Sequence, residues 1–159
     1  NFTTSFMTLL NRLPVFPLYY NGDTKFTPIH CSDLTDIIYQ VISKKLYSKI
    51  IECVGPETFS LKEILKKLLK LTSKNRLLIP LPFFAAKISA HLFQLFPKPL
   101  LTVDQLKLLR YDNIASKKYK TNFDIGVPST KIFEQEVEKY CYMWRESGQF
   151  STKKYNSIN

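Results

Sequence analysis

Glycine is scarce in this chain of 159 residues: only Gly22, Gly55, Gly126 and Gly148 occur, about a third of the usual frequency of roughly 7%. No two lie close enough to form the Gly-rich turn that brings backbone amides against a pyrophosphate at a helix N-terminus. The chain therefore cannot hold a dinucleotide by that mechanism alone. Three cysteines, Cys31, Cys53 and Cys141, have no short mutual spacing and sit within apolar runs. They read as buried thiols of a reducing compartment, not as a disulfide framework. The two histidines, His30 and His91, are far apart and away from any carboxylate cluster, so no metal site is expected. The first residue is Asn1 rather than methionine and no signal peptide is visible, as expected of a fragment, a processed product or a trimmed chain.

Arginine is the second shortage. Arg12, Arg76, Arg110 and Arg145 are the only ones among 23 basic residues, although the net charge is +10. Readers of bases and phosphates favour arginine for its bidentate fork, so no nucleic-acid partner is expected. The lysines Lys62, Lys66, Lys67, Lys70 and Lys74 alternate with Leu61, Ile64, Leu65, Leu68 and Leu69. That is the pattern of a solvated helix face. Attraction of such a surface to an anionic membrane or an acidic partner is the alternative.

What is present suffices for one domain with a real core. Residues 2 to 11 read as a helix. Pro14 and Pro17 then force an extended stretch through Leu18 and Tyr19, and Asn21-Gly22-Asp23 signals a turn. Phe26 to Cys31 reads as a short strand entering a helix whose start is marked by Ser32 and Asp33, with Asp33 expected to cap backbone amides. In that helix Leu34, Ile37, Ile38, Val41 and Ile42 form one apolar stripe. Lys49 to Val54 has the continuous apolar character of a parallel strand. Ser60 and Glu63 form a capping box opening a helix over 61 to 72. Leu77 to Leu81 is a short strand or extended link between prolines. A last helix, separated off by Gly126 and Pro128, carries Phe133, Val137, Tyr140, Cys141 and Trp144 on its apolar face.

The segment from Phe83 to Phe96 leaves only Lys87, His91 and Gln94 as a polar stripe. As a helix it would be about 21 Å long, too short to cross a bilayer. It reads as a core helix, or as a surface that docks a protein partner or lies in a membrane interface through Phe83, Phe84, Ile88, Leu92, Phe93 and Phe96. Thr102 with Gln105 caps a further helix expected to run to about Arg110. Arg110, Asp112 and Asn113 form a polar cluster beyond it, a local turn network first and an anion or partner site second.

Two stretches carry a resemblance: Gly22-Asp-Thr-Lys-Phe-Thr-Pro-Ile-His-Cys-Ser-Asp-Leu-Thr-Asp-Ile-Ile38 and Ile50-Ile-Glu-Cys-Val-Gly-Pro-Glu-Thr-Phe-Ser60. Each passes from a short strand into a helix start. The pair resembles the carboxyl half of the extended short-chain dehydrogenase/reductases, the NAD-dependent epimerase/dehydratase family. Three more stretches narrow this. They are Arg76-Leu-Leu-Ile-Pro-Leu-Pro-Phe-Phe-Ala-Ala-Lys87, Pro99-Leu-Leu-Thr-Val-Asp-Gln-Leu-Lys-Leu-Leu109 and Arg110-Tyr-Asp-Asn-Ile-Ala-Ser116. Together they are similar to the NDUFA9-like accessory subunits of respiratory complex I, an atypical branch. The match runs over roughly residues 5 to 145; Thr35 and Cys31 stand where relatives usually have Ala and Val.

The resemblance implies an α/β fold: the last parallel strands of a doubly wound Rossmann sheet plus a mostly helical cap over 1–145, then a polar tail over 146–159. It implies NADP(H) or NAD(H) held mainly by an amino-terminal half that this chain lacks. It further implies complex I subunits as partners, with peripheral membrane contact. The place would be the cytoplasmic face of a bacterial inner membrane or the matrix side of the mitochondrial one. No tyrosine is followed four residues later by lysine, so that family's acid/base couple is missing and catalysis by this chain alone is not expected. No residue is named catalytic. His30 and Asp33 are cleft-edge candidates, each with a structural reading beside it: a satisfied histidine and a helix cap. An NAD(P)-dependent nucleotide-sugar epimerase, dehydratase or reductase is the alternative function, and a membrane-surface assembly factor a second.

Overall fold

The computed structural model describes residues 2–81, 107–146 and 148–149. The docking candidates Phe83, Phe84, Ile88, Leu92, Phe93 and Phe96, the cap at Thr102 and nearly all of the polar tail lie outside them. Helix α1 (Phe2–Arg12) buries Met7 and Leu10. It stops ahead of Pro14, which disfavours helical backbone in the residue before it. The guanidinium of Arg76 donates to the Leu10 carbonyl at 2.9 Å, satisfying one of the orphan acceptors at that helix end.

Strand β1 (Val15–Tyr19) pairs in parallel with β5 (Leu77–Leu81), Phe16 opposite Leu78 and Leu18 opposite Pro80. Prolines are tolerated here because both strands are edges of a two-stranded sheet. Phe16 and Leu18 enter the core, whereas Val15, Leu77 and Ile79 on the opposite face stay exposed. After β1 the chain turns through Tyr20–Gly22, with Gly22 at φ +74°. A Cβ there would come within 2.9 Å of the Lys62 Cβ, so this turn needs glycine to seat on the helix that opens at Leu61.

The strand expected over Phe26 to Cys31 is cut to β2 (Lys25–Phe26), antiparallel to β4 (Phe59–Ser60). Pro28 has no amide to offer a ladder, the Thr27 amide goes to the Asn113 carbonyl, and Cys31 already begins α2 (Cys31–Ser43). The expected apolar stripe of α2 is helical in register but only partly covered, with Leu34 and Val41 half-buried. Ile37 is buried, while Ile38 and Ile42 are 51% and 62% exposed.

The parallel strand expected over Lys49 to Val54 is likewise shorter: β3 (Ile51–Glu52) pairs in parallel with β6 (Lys120–Thr121). The Val54 amide leaves the ladder for the Asn122 side chain at 2.9 Å. The capping box forms as expected. Ser60 Oγ accepts from the Glu63 amide and Glu63 accepts from the Ser60 amide. It opens α3 (Leu61–Leu71), whose Leu61, Ile64, Leu65, Leu68 and Leu69 are all buried. Each such side chain contributes roughly 1.5–3 kcal/mol of transfer free energy.

Helix α4 (Phe133–Cys141) continues into a short 3-10 turn, Tyr142–Trp144, and packs Phe133, Val137, Cys141 and Trp144 into the same core. The Arg145 guanidinium donates to the Leu71 carbonyl at 2.9 Å, closing the end of α3 as Arg76 closes that of α1. The reading of the three cysteines as buried thiols holds for Cys141 alone. Cys53 is half-buried and Cys31 is exposed, because the first turn of α2 faces outward there. The protein is thus a mixed α/β fold with small parallel sheets and, among the described residues, four helices of nine residues or more. None of these is long and apolar enough to cross a membrane.

Candidate ligand-binding cleft

His30 is the N-cap of α2, the role expected of the residues just after it. Its Nδ1 accepts from the Ser32 amide at 3.3 Å and lies 2.8 Å from Ser32 Oγ. An Nδ1 that accepts an amide proton carries none of its own, so the ring proton sits on Nε2. That nitrogen faces Glu136 Oε2 of α4 at 3.9 Å. The sequence places His30 away from any carboxylate cluster; the fold brings a carboxylate to it from the far end of the chain. Glu136 is held by Lys139 at 2.7 Å. Its carboxyl lies below the usual glutamate range, first through that hydrogen bond and then through the charges of Lys139 and Lys131.

Asp33 does not cap its own helix. It is 5% exposed, and its Oδ2 accepts from the amides of Thr130 and Lys131 at 3.0 and 2.9 Å. It pins the loop that precedes α4 to the first turn of α2, where its charge also complements the helix dipole. A second pin lies nearby. Asn122 is fully buried, accepts from the Val54 amide and donates to Ser129 Oγ, which in turn donates to the Val54 carbonyl. Glu136, Asn122 and Ser129 were not singled out by sequence reasoning. The Gly126–Pro128 turn was the signal that a tight structure sits there.

Between α1, α2 and α4 these contacts leave a cavity of about 360 Å³, with His30, Cys31, Lys131 and Glu136 on its polar side and Phe2 and Leu34 on its apolar side. The Tyr140 hydroxyl, also in its wall, lies 2.8 Å from Thr3 Oγ1. A second, more apolar cavity of about 550 Å³ lies on the other side of Phe2, walled by Phe6, Leu9, Phe26, Leu109 and Tyr111. Of the polar cluster expected at Arg110, Asp112 and Asn113 as a local turn network, Asp112 and Asn113 lie on its rim and bind the distant β2 segment instead. Asp112 accepts from the Lys25 amide at 2.8 Å, and Asn113 exchanges backbone hydrogen bonds with Lys25 and Thr27. Close by, Thr24 Oγ1 donates to the Leu109 carbonyl.

The chemistry these groups can perform is limited by what already occupies them. Ser32 beside His30 is the one hydroxyl–imidazole pair at the cleft, but the ring nitrogen it meets is already engaged by the Ser32 amide. The pair is a helix cap, not an activated nucleophile. Among the described residues, the amino ends of α2, α3 and α4 are already closed by the protein's own groups. The amino end of α2 is closed by His30, that of α3 by Ser60 and Glu63, and the Phe133 amide at the start of α4 by Glu57 at 3.3 Å. Amides that already have acceptors, two of them carboxylates, do not present the free positive end that phosphate needs. Among the described residues no three His, Cys, Asp or Glu side chains cluster closely enough to hold a metal ion. No protein-family model matches the chain, and no curated protein matches it in a sequence search.

Proposed function

We propose that this chain is the carboxyl-terminal part of an NAD(P)H-binding accessory subunit of respiratory complex I, built on the extended short-chain dehydrogenase plan and structural rather than catalytic. In this reading an amino-terminal Rossmann half holds the NADP(H) or NAD(H). The chain lies on the peripheral arm at the cytoplasmic or matrix face of the membrane. The observation that supports it most is the bare apolar layer on the parallel strands and on α2. Parallel sheets belong in structures covered on both faces, yet Val15, Leu77 and Ile79 on β1–β5 and Ile38, Tyr39 and Ile42 on α2 are exposed. A further layer of protein over these faces fits the plan the sequence resembles. His30 as a helix cap and Asp33 as the acceptor for the Thr130 and Lys131 amides support the structural part of the proposal.

The test is co-migration of the native protein with respiratory complex I on a native gel, expected under this reading. Turnover of a sugar nucleotide by the purified protein would replace it with the epimerase or reductase alternative, which the polar cleft at His30 and Glu136 favours. Binding to anionic vesicles that is lost on Phe93→Asp would instead favour the membrane-surface assembly factor.

A further inference from the structure

At the carboxyl end of α2, about 20 Å along the helix axis from His30, lies a third cavity of about 450 Å³. Its walls hold Lys44, Lys49, Lys118 and Lys120, and no carboxylate. These lysines come from three places in the chain: the end of α2, the approach to β3, and the segment that leads into β6. The parallel pairing of β3 with β6 is what brings them together. Ile50, Ile51 and Ile125 with Tyr119 give the cavity an apolar floor.

The partners of these ammonium groups are few. Lys44 Nζ reaches the Ile125 carbonyl at 3.5 Å, and Lys118 Nζ lies 5.1 Å from the Tyr119 ring centroid. No salt bridge among the described residues involves any of the four. Two acids flank the cavity: Asp124, whose Oδ2 is taken by the Thr121 amide and hydroxyl, and Glu52 of β3, which accepts from the Ser116 amide. The other lysine-rich surface, on α3, is different. There Lys67 is neutralised by Glu134 at 2.6 Å and Glu63 lies beside Lys66 and Lys67. The turns that aim the cavity's lysines also hold non-glycine residues in left-handed backbone: Lys45 at φ 53°, Ser48 at φ 57° and Lys117 at φ 62°. Such conformations cost free energy that the surrounding structure must offset.

We infer that this cavity binds a ligand bearing two or more phosphate groups, with an apolar or ring portion seated on Tyr119 and the isoleucines. Four like charges repel within the cavity, a polyanion relieves that repulsion, and a volume of this size suits a nucleotide-sized molecule or a phospholipid headgroup. The site is independent of the proposed place in complex I and stands or falls without it.

The full chain would be titrated by calorimetry with pyrophosphate and with ATP, and by co-sedimentation with vesicles containing a phosphatidylinositol phosphate. A double variant, Lys49→Glu with Lys118→Glu, is compared with Lys62→Glu with Lys66→Glu, which changes net charge equally on the solvated face of α3. Both sites are exposed, and an unchanged circular dichroism spectrum and melting midpoint show that both variants fold. The inference expects the first pair to weaken binding about tenfold or more and the second less than about twofold, with binding falling as salt rises. Saturable binding of pyrophosphate or ATP assigns a soluble ligand, and binding to the vesicles alone assigns a headgroup. Equal losses in both variants, or no binding in any arm, would overturn it.

Discussion

Asp33 carries more of the structure than its position in the chain suggests. It is a buried carboxylate whose two acceptor contacts are backbone amides from the loop before α4. Removing it leaves those amides without their acceptor, and hydrogen bonds to a charged group contribute about 1.5–3 kcal/mol each. Asp33→Ala is therefore expected to lower unfolding stability in urea by about 2–4 kcal/mol, and Asp33→Asn, which keeps an acceptor oxygen, by clearly less. Equal losses would show that the oxygen's contacts are not what stabilises the loop. The sequence marks Asp33 as a cap beside a strand end, but its acceptor role depends on a loop almost a hundred residues away. Composition and periodicity carry no trace of that pairing. The same is true of His30 and Glu136, and of Asn122. Only the fold shows that two of the four arginines, Arg76 and Arg145, close helix ends.

Acid response is also argued at single residues. Glu63 is held below the ordinary glutamate value, near 4.5, first by the Ser60 amide and then by the Ser60 hydroxyl. Glu134 is held below it chiefly by its hydrogen bond to Lys67. A carboxyl whose folded value lies below its unfolded one contributes stability above the unfolded value. That contribution is lost as pH falls through the folded value. Stability is thus expected to decline below about pH 4.5, and Glu63→Gln should flatten part of that decline. An acid limb unaltered in Glu63→Gln would place the coupling elsewhere.

At the scale of elements, α3 was readable almost completely. Its capping box, its apolar stripe and its lysine face all come from local chemistry, and the fold adds only the partners. Helix α2 was readable as a helix with one apolar stripe, but how far that stripe is covered is a tertiary property: Ile37 is buried while Ile38 and Ile42 are exposed. The two helices should therefore respond differently to truncation. Leu65→Ala is expected to cost about 2–5 kcal/mol, whereas Ile42→Ala should stay within about 0.5 kcal/mol in the isolated chain. Comparable losses would mean that α2 is packed on both sides in solution. Leu77–Leu81 pairs over its whole expected length, β2 and β3 are shorter than expected because Pro28 and the side chain of Asn122 end their ladders, and β4 and β6 were not expected at all.

For the whole molecule, the core joins α1, α3 and α4 around one face of the β1–β5 sheet, while Val15, Leu77 and Ile79 on the other sheet face and Ile38 and Ile42 of α2 stay exposed. That asymmetry is the physical basis for proposing a covering Rossmann half and a place in a larger assembly. The class of fold could be read from the alternation of helical and strand-like segments. The bare faces could not, because the same apolar residues would serve as well in a closed core. The most direct test is to read the coding sequence upstream of this chain in its own gene. The account predicts a strand followed by Gly-x-x-Gly-x-x-Gly, with no Tyr-x-x-x-Lys. A complete Tyr-x-x-x-Lys with a preceding serine or threonine would contradict the structural role, and the lack of any Rossmann half would contradict the resemblance itself.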